Sequence, residues 1–286
     1  MSDKIPLSHD FPQPPLDMVM PPTAQLVATV CLASVAGLMF LAALAHWVRT
    51  RNPLFVLGML GGLLASVNEP FTNVVGMCFH PLIGQWTVLE SFGRPIPVWA
   101  MMCYPVYFGG LSCLMLVMLR RGITRRRFWM GVGIVMAGNA AFEFPILAAG
   151  VYVYYGDQPY RFFGMQPTFF VINVLGAVLG ALTLALLENQ LTGVRRLLML
   201  VIPGVMQVAA YGVAAPHMFT LSTDLPMGWK YAGTTLTIVL GLLVIDQVSR
   251  YAARRFPAAA AVPATAGGPA GAGGAAADRE LEASGA

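Results

Sequence analysis

Charged side chains are scarce in this sequence, and lysine is almost missing. Asp, Glu, Lys and Arg together make up 10% of the 286 residues, whereas a soluble domain carries about 25%. Hydrophobic residues make up 57%. A chain with so few polar groups cannot cover a water-facing surface, which excludes a soluble globular enzyme. The same composition excludes disorder over most of the length, because disordered chains have low hydrophobicity.

The sequence also lacks the common signatures of cofactor, metal and nucleotide sites. It contains no HExxH motif, no Walker loop and no closely spaced set of His, Cys and Asp residues. Its two lysines, Lys4 and Lys230, lie outside the deep part of any apolar segment, which excludes a retinal Schiff base. We therefore expect no cofactor and no metal. The four cysteines lack CxxC spacing and lie in or beside apolar segments, so we interpret them as small core residues rather than ligands or disulfide partners. They are Cys31, Cys78, Cys103 and Cys113.

Seven long apolar segments dominate the rest of the sequence. Each is about 20 residues long, the length that a helix needs to cross a bilayer, and none alternates as a barrel strand would. The sequence predicts an all-α integral membrane protein, a bundle of about seven transmembrane helices in the cell membrane. The predicted spans are 24–48, 54–78, 97–119, 128–152, 167–187, 197–220 and 231–249.

Two segments of different composition flank the predicted membrane domain, residues 24–250. Residues 1–23 form a polar leader rich in proline. Residues 251–286 form a tail that is rich in Ala, Gly and Pro and lacks periodicity from Phe256 onward. Such a composition buries too little apolar surface to fold, so we expect the tail to be disordered.

Basic residues alternate between the connections and predict the orientation of the bundle. Twelve arginines follow predicted spans 1, 3, 5 and 7, whereas four basic residues lie on the other side. Because cytoplasmic loops are enriched in Lys and Arg, we expect the N-terminus outside and the C-terminal tail in the cytoplasm. The same placement between apolar segments argues against nucleic-acid binding.

Few ionisable side chains fall inside the predicted spans, and two of them are glutamates at matched depth. Glu69 and Glu143 each lie roughly 22 Å above the inner end of their spans, at about 1.5 Å per residue. Asn173 comes close to the same level in a hydrocarbon core about 30 Å thick. Ionisable groups in hydrocarbon are costly and usually face a cavity. We therefore predict that the two carboxyls line one polar cavity.

Each glutamate lies beside a proline, Pro70 or Pro145, that interrupts helical hydrogen bonding. Such breaks are tolerated where a polar cavity satisfies the freed backbone. Desolvation and mutual repulsion favour the protonated form of one carboxyl, which makes it a general acid and its partner a base. The predicted catalytic residues are Glu69 and Glu143. The predicted supporting or substrate-binding residues are Asn68, Asn73, Tyr104, Tyr107, Asn139, Asn173, Tyr211 and His217.

Other polar and aromatic residues favour structural interpretations. Asp246 precedes Arg250 by one helical turn, so we expect an ion pair at the inner end of the last span. Aromatic residues in the outer connections are typical of interface anchors, and a pocket mouth is the alternative interpretation. These residues are Trp86, Trp99, Tyr152, Tyr154, Tyr155 and Tyr160.

Three short patterns carry a resemblance to a known family. They are NEPFTN at 68–73, PVW and YPVY within 97–107, and an acidic segment ending in GVYVYYG at 143–156. Over about residues 54–190 the chain resembles the actinobacterial membrane proteins related to the spirocyclase of avermectin biosynthesis. Glu69 stands where that family is expected to have an aspartate. The resemblance implies acid-catalysed cyclisation of a polyketide to a spiroketal.

The chain is also similar in size, span number and buried acids to the seven-span membrane-bound cyclases of terpene and meroterpenoid pathways. That similarity implies protonation of an epoxide or an alkene. Both resemblances favour a cofactor-independent cyclase or isomerase of secondary metabolism, acting on a lipophilic small molecule within the lipid bilayer. Two other functions stay open, a transporter in which the glutamates relay protons and a non-catalytic membrane partner protein. The sequence does not indicate an oligomeric state.

Overall fold

The computed structural model describes residues 12–258, and most of this range is helical. The helices pack side by side into one bundle, in which several predicted spans are built from more than one helix. In chain order they are α1 (Pro22–Thr50), α2 (Leu54–Ala65), α3 (Glu69–Val75), α4 (Val98–Tyr104), α5 (Ser112–Arg120), α6 (Arg125–Ala148), α7 (Pro167–Leu187), α8 (Ile202–Val213), α9 (Ala215–Leu221) and α10 (Met227–Arg255).

The prediction of long apolar helices is confirmed. Six helical stretches in the described range are long and apolar enough to cross a membrane. A seventh results if the 3-10 helix Gly193–Leu200 and α8, which meet at an angle of 44°, form one broken span. Helix α10 continues to Arg255, five residues past the predicted end of the membrane domain. The tail from residue 259 and the leader up to residue 11 lie outside the described residues.

Breaks in two of these stretches lie beside prolines. A 3-10 turn, Ser66–Asn68, joins α2 to α3, and Pro70 occupies the first turn of α3. A π-helical turn, Pro105–Leu111, joins α4 to α5. Proline has no backbone N–H to donate, so it fits these positions at the start of a new helical segment. In the first stretch the break falls at the level of Glu69.

Four short strands at one end of the bundle correct the prediction of an all-α chain. Strands β1 (Cys78–Phe79) and β4 (Val153–Tyr154) pair antiparallel, which ties together the connections after α3 and α6. Strands β2 (Thr87–Ser91) and β3 (Arg94–Pro97) form a hairpin. We call the end of the bundle that carries these four strands the strand-bearing end. Hydropathy could not predict the pairing of β1 with β4, because it joins connections that lie far apart in the chain.

The strand-bearing connections are fixed to the first helix. The side chain of Gln25, near the start of α1, donates to the Gly84 carbonyl at 3.1 Å and accepts from the Trp86 backbone N–H at 2.8 Å. Gln25 is 1% exposed. A buried amide with both of its functions paired holds the connection before the hairpin in one position. The connections that carry the strands therefore form an ordered cover over this end of the bundle.

Glycines allow the broken helices to approach closely. A Cβ atom added to Gly62 of α2 would lie 2.6 Å from the backbone nitrogen of Gly109 in the π-helical turn. The glycine pairs Gly61-Gly62 and Gly109-Gly110 therefore lie at close packing contacts, as small residues do between membrane helices. The close approach holds the segment that carries Tyr104 and Tyr107 against the one that carries Glu69.

Large apolar side chains cover much of the outward surface of α1, α6 and α10. Leu38 is 68% exposed and Ile134 is 70% exposed. Contiguous apolar surface of this kind is unfavourable in water and matches a lipid-facing surface. At the opposite end from the strands, the Ile123 N–H donates to the carbonyl of Phe256 at 2.9 Å, which ties the end of α10 to the turn between α5 and α6.

Candidate functional site

A cavity of about 100 Å³ lies inside the bundle near the strand-bearing end. It has room for a compact ligand or several water molecules. Its walls come from α3, α4, the π-helical turn, α6, α7 and α8, with β1 and β4 at the strand-bearing end. The lining residues are Glu69, Thr72, Asn73, Cys78, His80, Trp99, Ala100, Cys103, Tyr104, Tyr107, Phe108, Phe142, Glu143, Ile146, Tyr152, Tyr154, Phe169, Asn173, Gln207 and Tyr211.

Glu69 is the last member of a hydrogen-bond chain that crosses three helical segments. Asn68 donates to the side-chain oxygen of Gln207 at 3.1 Å, and Gln207 donates to the Tyr104 hydroxyl at 2.8 Å. The Tyr104 hydroxyl in turn donates to Glu69 Oε2. Every donor in the chain points toward the carboxyl, which holds Glu69 in one orientation beside the cavity.

Glu143 is held by a second network on the other side of the cavity. The Tyr152 hydroxyl donates to Glu143 Oε2, and the Asn173 amide donates to Oε1 at 3.2 Å. Asn173 also donates to Asn139 Oδ1 at 3.2 Å, and the Tyr107 hydroxyl donates to the same oxygen. Both glutamates thus border one cavity, and each is oriented by its own tyrosine.

His80 approaches Glu69 from the connection after β1. Its Nδ1 lies 3.2 Å from the Asn73 amide nitrogen, which can only donate, so the imidazole proton is on Nε2. Nε2 lies 3.8 Å from Glu69 Oε1. Burial, together with the positive charge of Arg94, lowers the pKa of His80 to about 3. The imidazole is therefore neutral near pH 7 and presents an N–H to Glu69.

Aromatic side chains form most of the remaining wall. Trp99 packs against His80 and Tyr152 with ring centroids 5.2 and 5.7 Å apart, and Tyr154 stacks on Phe169 at 4.8 Å. Burial, followed by the negative charge of Glu143, raises the pKa of Tyr152 well above its usual value, so Tyr152 keeps its proton. The interface-anchor interpretation is wrong for Trp99, Tyr152 and Tyr154, because all three are buried and line the cavity.

Ten residues were singled out by sequence, and the cavity brings most of them together. Seven line it, namely Glu69, Asn73, Tyr104, Tyr107, Glu143, Asn173 and Tyr211. Asn68 and Asn139 stand behind this lining and are joined to it by the hydrogen bonds described above.

His217 does not belong to this set. It is fully buried between α7, α9 and α10, where its ring nitrogens lie 2.8 Å from Thr234 Oγ1 and 3.4 Å from Thr168 Oγ1. Hydroxyl groups from two neighbouring helices therefore satisfy both nitrogens. The expectation that His217 supports the cavity is corrected, because its position on α9 turns it toward α10 rather than toward the glutamates.

Four residues of the site lie outside the ten predicted site residues, namely His80, Trp99, Tyr152 and Gln207. For Trp99 and Tyr152 a pocket mouth is the alternative interpretation of the sequence. Three of the four lie in or beside the strand-bearing connections, where depth along a helix gives no guide to position. Gln207 carries the one usable signal, a buried amide within a predicted span. Its pairing with Asn68 follows from the contact between α2 and α8, which no sequence pattern of either helix reveals.

Two acidic residues at the arginine-rich end of the bundle, opposite the strands, are paired with arginines. Asp246 Oδ2 accepts from Arg250 Nε at 2.7 Å, as the spacing predicts, and Asp246 also pairs with Arg125. Glu188 pairs with Arg120 at 2.7 Å. Neither acid lines the cavity, so both serve to join helices at the arginine-rich end.

Within residues 12–258, no group of three or more His, Cys, Asp or Glu side chains is arranged to hold a metal ion. Cys31, Cys78, Cys103 and Cys113 are all free thiols, and Cys31 is exposed on α1 rather than in the core. Comparison of the chain with protein-family models, curated proteins and solved structures found no match. The chemistry of the site therefore has to be argued from its own side chains.

Proposed function

We propose that this chain is a membrane-embedded cyclase that uses Glu69 and Glu143 as an acid and base pair on a lipophilic natural-product precursor. One observation carries the proposal. Two glutamates from separate membrane helices border the same aromatic cavity, and no side-chain cation lies among its lining residues to neutralise them. Two buried carboxylates without a counter-charge are strongly disfavoured, so one of them carries a proton.

A protonated and an ionised carboxyl together supply the proton donor and the proton acceptor that a cyclisation needs. The protonated glutamate transfers its proton to an oxygen or an alkene carbon of the substrate, and the electron-poor carbon that results is attacked by an internal hydroxyl or double bond. The ionised glutamate then accepts the proton released when the ring closes. The protein ends with the same number of protons, which have exchanged places between the two acids.

The aromatic walls suit the charge that develops during this step. Rings such as Tyr104, Phe108 and Phe169 present electron-rich faces that attract a cation within about 6 Å. A substrate that fills the cavity displaces its water, which protects a reactive intermediate from capture by solvent. A largely aromatic wall around two oriented carboxyls supports ring closure of a neutral, apolar substrate.

The two resemblances suggest which substrates to try first. The resemblance to the avermectin spirocyclase family favours a polyketide that closes to a spiroketal with loss of water. The similarity to seven-span terpene and meroterpenoid cyclases favours a prenylated precursor in which an epoxide or alkene is protonated. In each case the ring-forming carbon must reach the space between Glu69 and Glu143.

We further propose that the strand-bearing end faces the outside of the cell membrane, with the N-terminus outside and the C-terminus in the cytoplasm. The twelve arginines at the other end support this orientation. The cavity then lies in the outer half of the bilayer, within reach of a substrate dissolved in the membrane.

Incubation of purified protein with linear precursors in deuterated water tests the proposal. A dihydroxy-ketone polyketide, a prenylated phenol and the epoxide of that prenylated phenol are suitable substrates. The products are separated and their masses are measured by mass spectrometry. We expect a cyclic product from one of them that is absent with the Glu69→Gln variant. For alkene protonation, the product carries one deuterium from solvent.

Transport is the competing function, and the same protein preparation distinguishes it. A proton-coupled transporter in liposomes accumulates its substrate unchanged when a pH gradient is applied. Unmodified precursor accumulating in the liposomes, with no cyclic product from any precursor, would contradict the cyclase. The arginine pairing of Glu188 and Asp246 leaves no free acid among the described residues at the arginine-rich end to continue a proton path.

A further inference from the structure

One residue that lines the cavity carries a buried hydrogen-bond donor that has no acceptor in the protein. Five buried side-chain polar atoms of the described residues lack a partner, and they belong to Arg94, Trp99, Asn139, Gln158 and Gln166. Of these residues, Trp99 alone lines the cavity. Its side chain is 4% exposed, and the indole nitrogen can only donate. A buried N–H without an acceptor is destabilising, and an acceptor on a ligand would remove that cost.

The indole ring is held so that its N–H has a defined position. Trp99 lies near the start of α4 and contacts His80 edge to face, with an interplanar angle of 89°. Tyr152 packs on the same ring, and its own hydroxyl is committed to Glu143. Neither the Tyr152 hydroxyl nor the His80 imidazole is a hydrogen-bond partner of the indole N–H, which has none among the described residues.

The cavity offers nothing that would bind an anionic group. No Lys or Arg lies among its lining residues, and His80 is neutral because its pKa is lowered to about 3. Arg94, which acts on His80 electrostatically, has its guanidinium bound to the Tyr155 hydroxyl at 2.9 Å. A phosphate or diphosphate would meet two glutamates without a compensating cation, which opposes its entry strongly.

We propose that the indole N–H of Trp99 binds an acceptor oxygen of a neutral and mostly apolar ligand, and that the cavity rejects ligands that carry a phosphate or diphosphate. This inference rests on the proposed function, since it names the substrate class of the same cavity. It makes Trp99 the residue that fixes the oxygen of the substrate relative to Glu69 and Glu143. A hydrocarbon of equal shape lacks the acceptor and binds less well.

Nuclear magnetic resonance tests the proposal without any need for turnover. The sample is the full-length chain in lipid nanodiscs, with its tryptophan indole nitrogens labelled with ¹⁵N. The matched probes are 2-decalone and decalin, which differ by one carbonyl oxygen, and geraniol and geranyl diphosphate. We expect 2-decalone and geraniol to move the Trp99 N–H resonance downfield in a saturable way. Decalin and geranyl diphosphate should leave the Trp99 resonance in place. None of the four probes should move the indole resonances of the other tryptophans, which are Trp47, Trp86, Trp129 and Trp229.

The Trp99→Phe variant keeps the aromatic packing but removes the donor. It should bind 2-decalone roughly 3- to 10-fold more weakly, the range of one hydrogen bond, with decalin affinity unchanged. Trp129→Phe, a partly buried tryptophan away from the cavity, is the control and should change neither affinity. If Trp99→Phe does not fold, Phe variants of the other four tryptophans assign the Trp99 resonance by elimination, and the wild-type spectra carry the test.

Each outcome separates this inference from the proposed function. A Trp99 resonance that does not respond to 2-decalone, equal ketone affinity in Trp99→Phe, or saturable binding of geranyl diphosphate would overturn the inference. Cyclisation by the wild type would be unaffected by any of these results. Conversely, the expected shifts without a cyclic product from any precursor would support the oxygen-binding role of Trp99 and contradict the cyclase.

Discussion

At the scale of single residues, the two tyrosines that donate to the carboxyl groups set the orientation of Glu69 and Glu143. Tyr104 connects Glu69 to Gln207, and Tyr152 connects Glu143 to the strand-bearing connections. A hydroxyl that donates to a carboxylate stabilises its ionised form and restricts its rotation. The proposed acid and base roles therefore require these donors as well as the glutamates themselves.

Replacement of Tyr104 by phenylalanine removes this donor and also leaves the Gln207 amide without its acceptor. We expect Tyr104→Phe to reduce turnover by about tenfold, which corresponds to about 1.4 kcal/mol, the size of one hydrogen bond. The substitution keeps the ring but leaves the buried Gln207 amide unpaired, so the melting temperature should also fall, and turnover is compared per folded molecule. Tyr160→Phe is the control, because the Tyr160 hydroxyl contacts Thr235 at the protein surface. Equal turnover in the two variants would show that Tyr104 does not position Glu69.

The buried His80 should make the fold sensitive to acid. Its pKa is about 3 in the folded protein, against about 6.5 in an unfolded chain. As the pH falls through about 6.5, the unfolded chain binds a proton that the folded chain does not, so the free energy of unfolding decreases toward about pH 3. We expect a lower melting temperature at about pH 5 than at about pH 7.5, with a smaller difference in His80→Gln. An identical pH dependence in both proteins would contradict this assignment.

At the scale of helices and strands, the bilayer explains why so much could be predicted from sequence. A segment that crosses hydrocarbon must be helical and apolar over about 20 residues, so composition alone locates α1, α6 and α10. The depth of Glu69 and Glu143 follows from the same geometry. The pairing of β1 with β4 and the burial of Trp99 do not, because they arise from contacts between connections far apart in the chain.

The contact between α2 and the π-helical turn is the packing feature most open to test. Gly62→Ala places a methyl group 2.6 Å from the Gly109 backbone nitrogen, and the backbone on both sides has to move. Overpacking of this kind costs about 1–3 kcal/mol, so we expect a lower melting temperature and a weakened site. Gly133→Ala on α6 is the matched control, since nothing lies within 4 Å of its added Cβ. Equal stability of the two variants would show that α2 and the turn are not closely packed.

At the scale of the whole molecule, the proposed orientation in the membrane places the cavity in the outer half of the bilayer, and this orientation can be tested with fusions. With the N-terminus outside, an alkaline phosphatase joined after Arg255 should be inactive, and a fluorescent reporter at the same position should fluoresce. Phosphatase joined after Gly156, in the strand-bearing connection, should be active. Activity of the fusion at Arg255 would reverse the orientation and place the cavity in the inner half of the bilayer.

The central claim for the whole molecule is that Glu69 and Glu143 act as one catalytic unit. The measurement is the turnover of the precursor that the wild type cyclises. It is made on Glu69→Gln, Glu143→Gln and the double variant, after the melting temperature of each has shown that it is folded. Glutamine keeps the shape and part of the hydrogen bonding but cannot transfer a proton. We predict that each single variant lowers turnover by roughly 10²–10⁴-fold. The double variant should lose little more than either single variant, because groups that act together are not additive. Full turnover in either folded single variant would contradict the account.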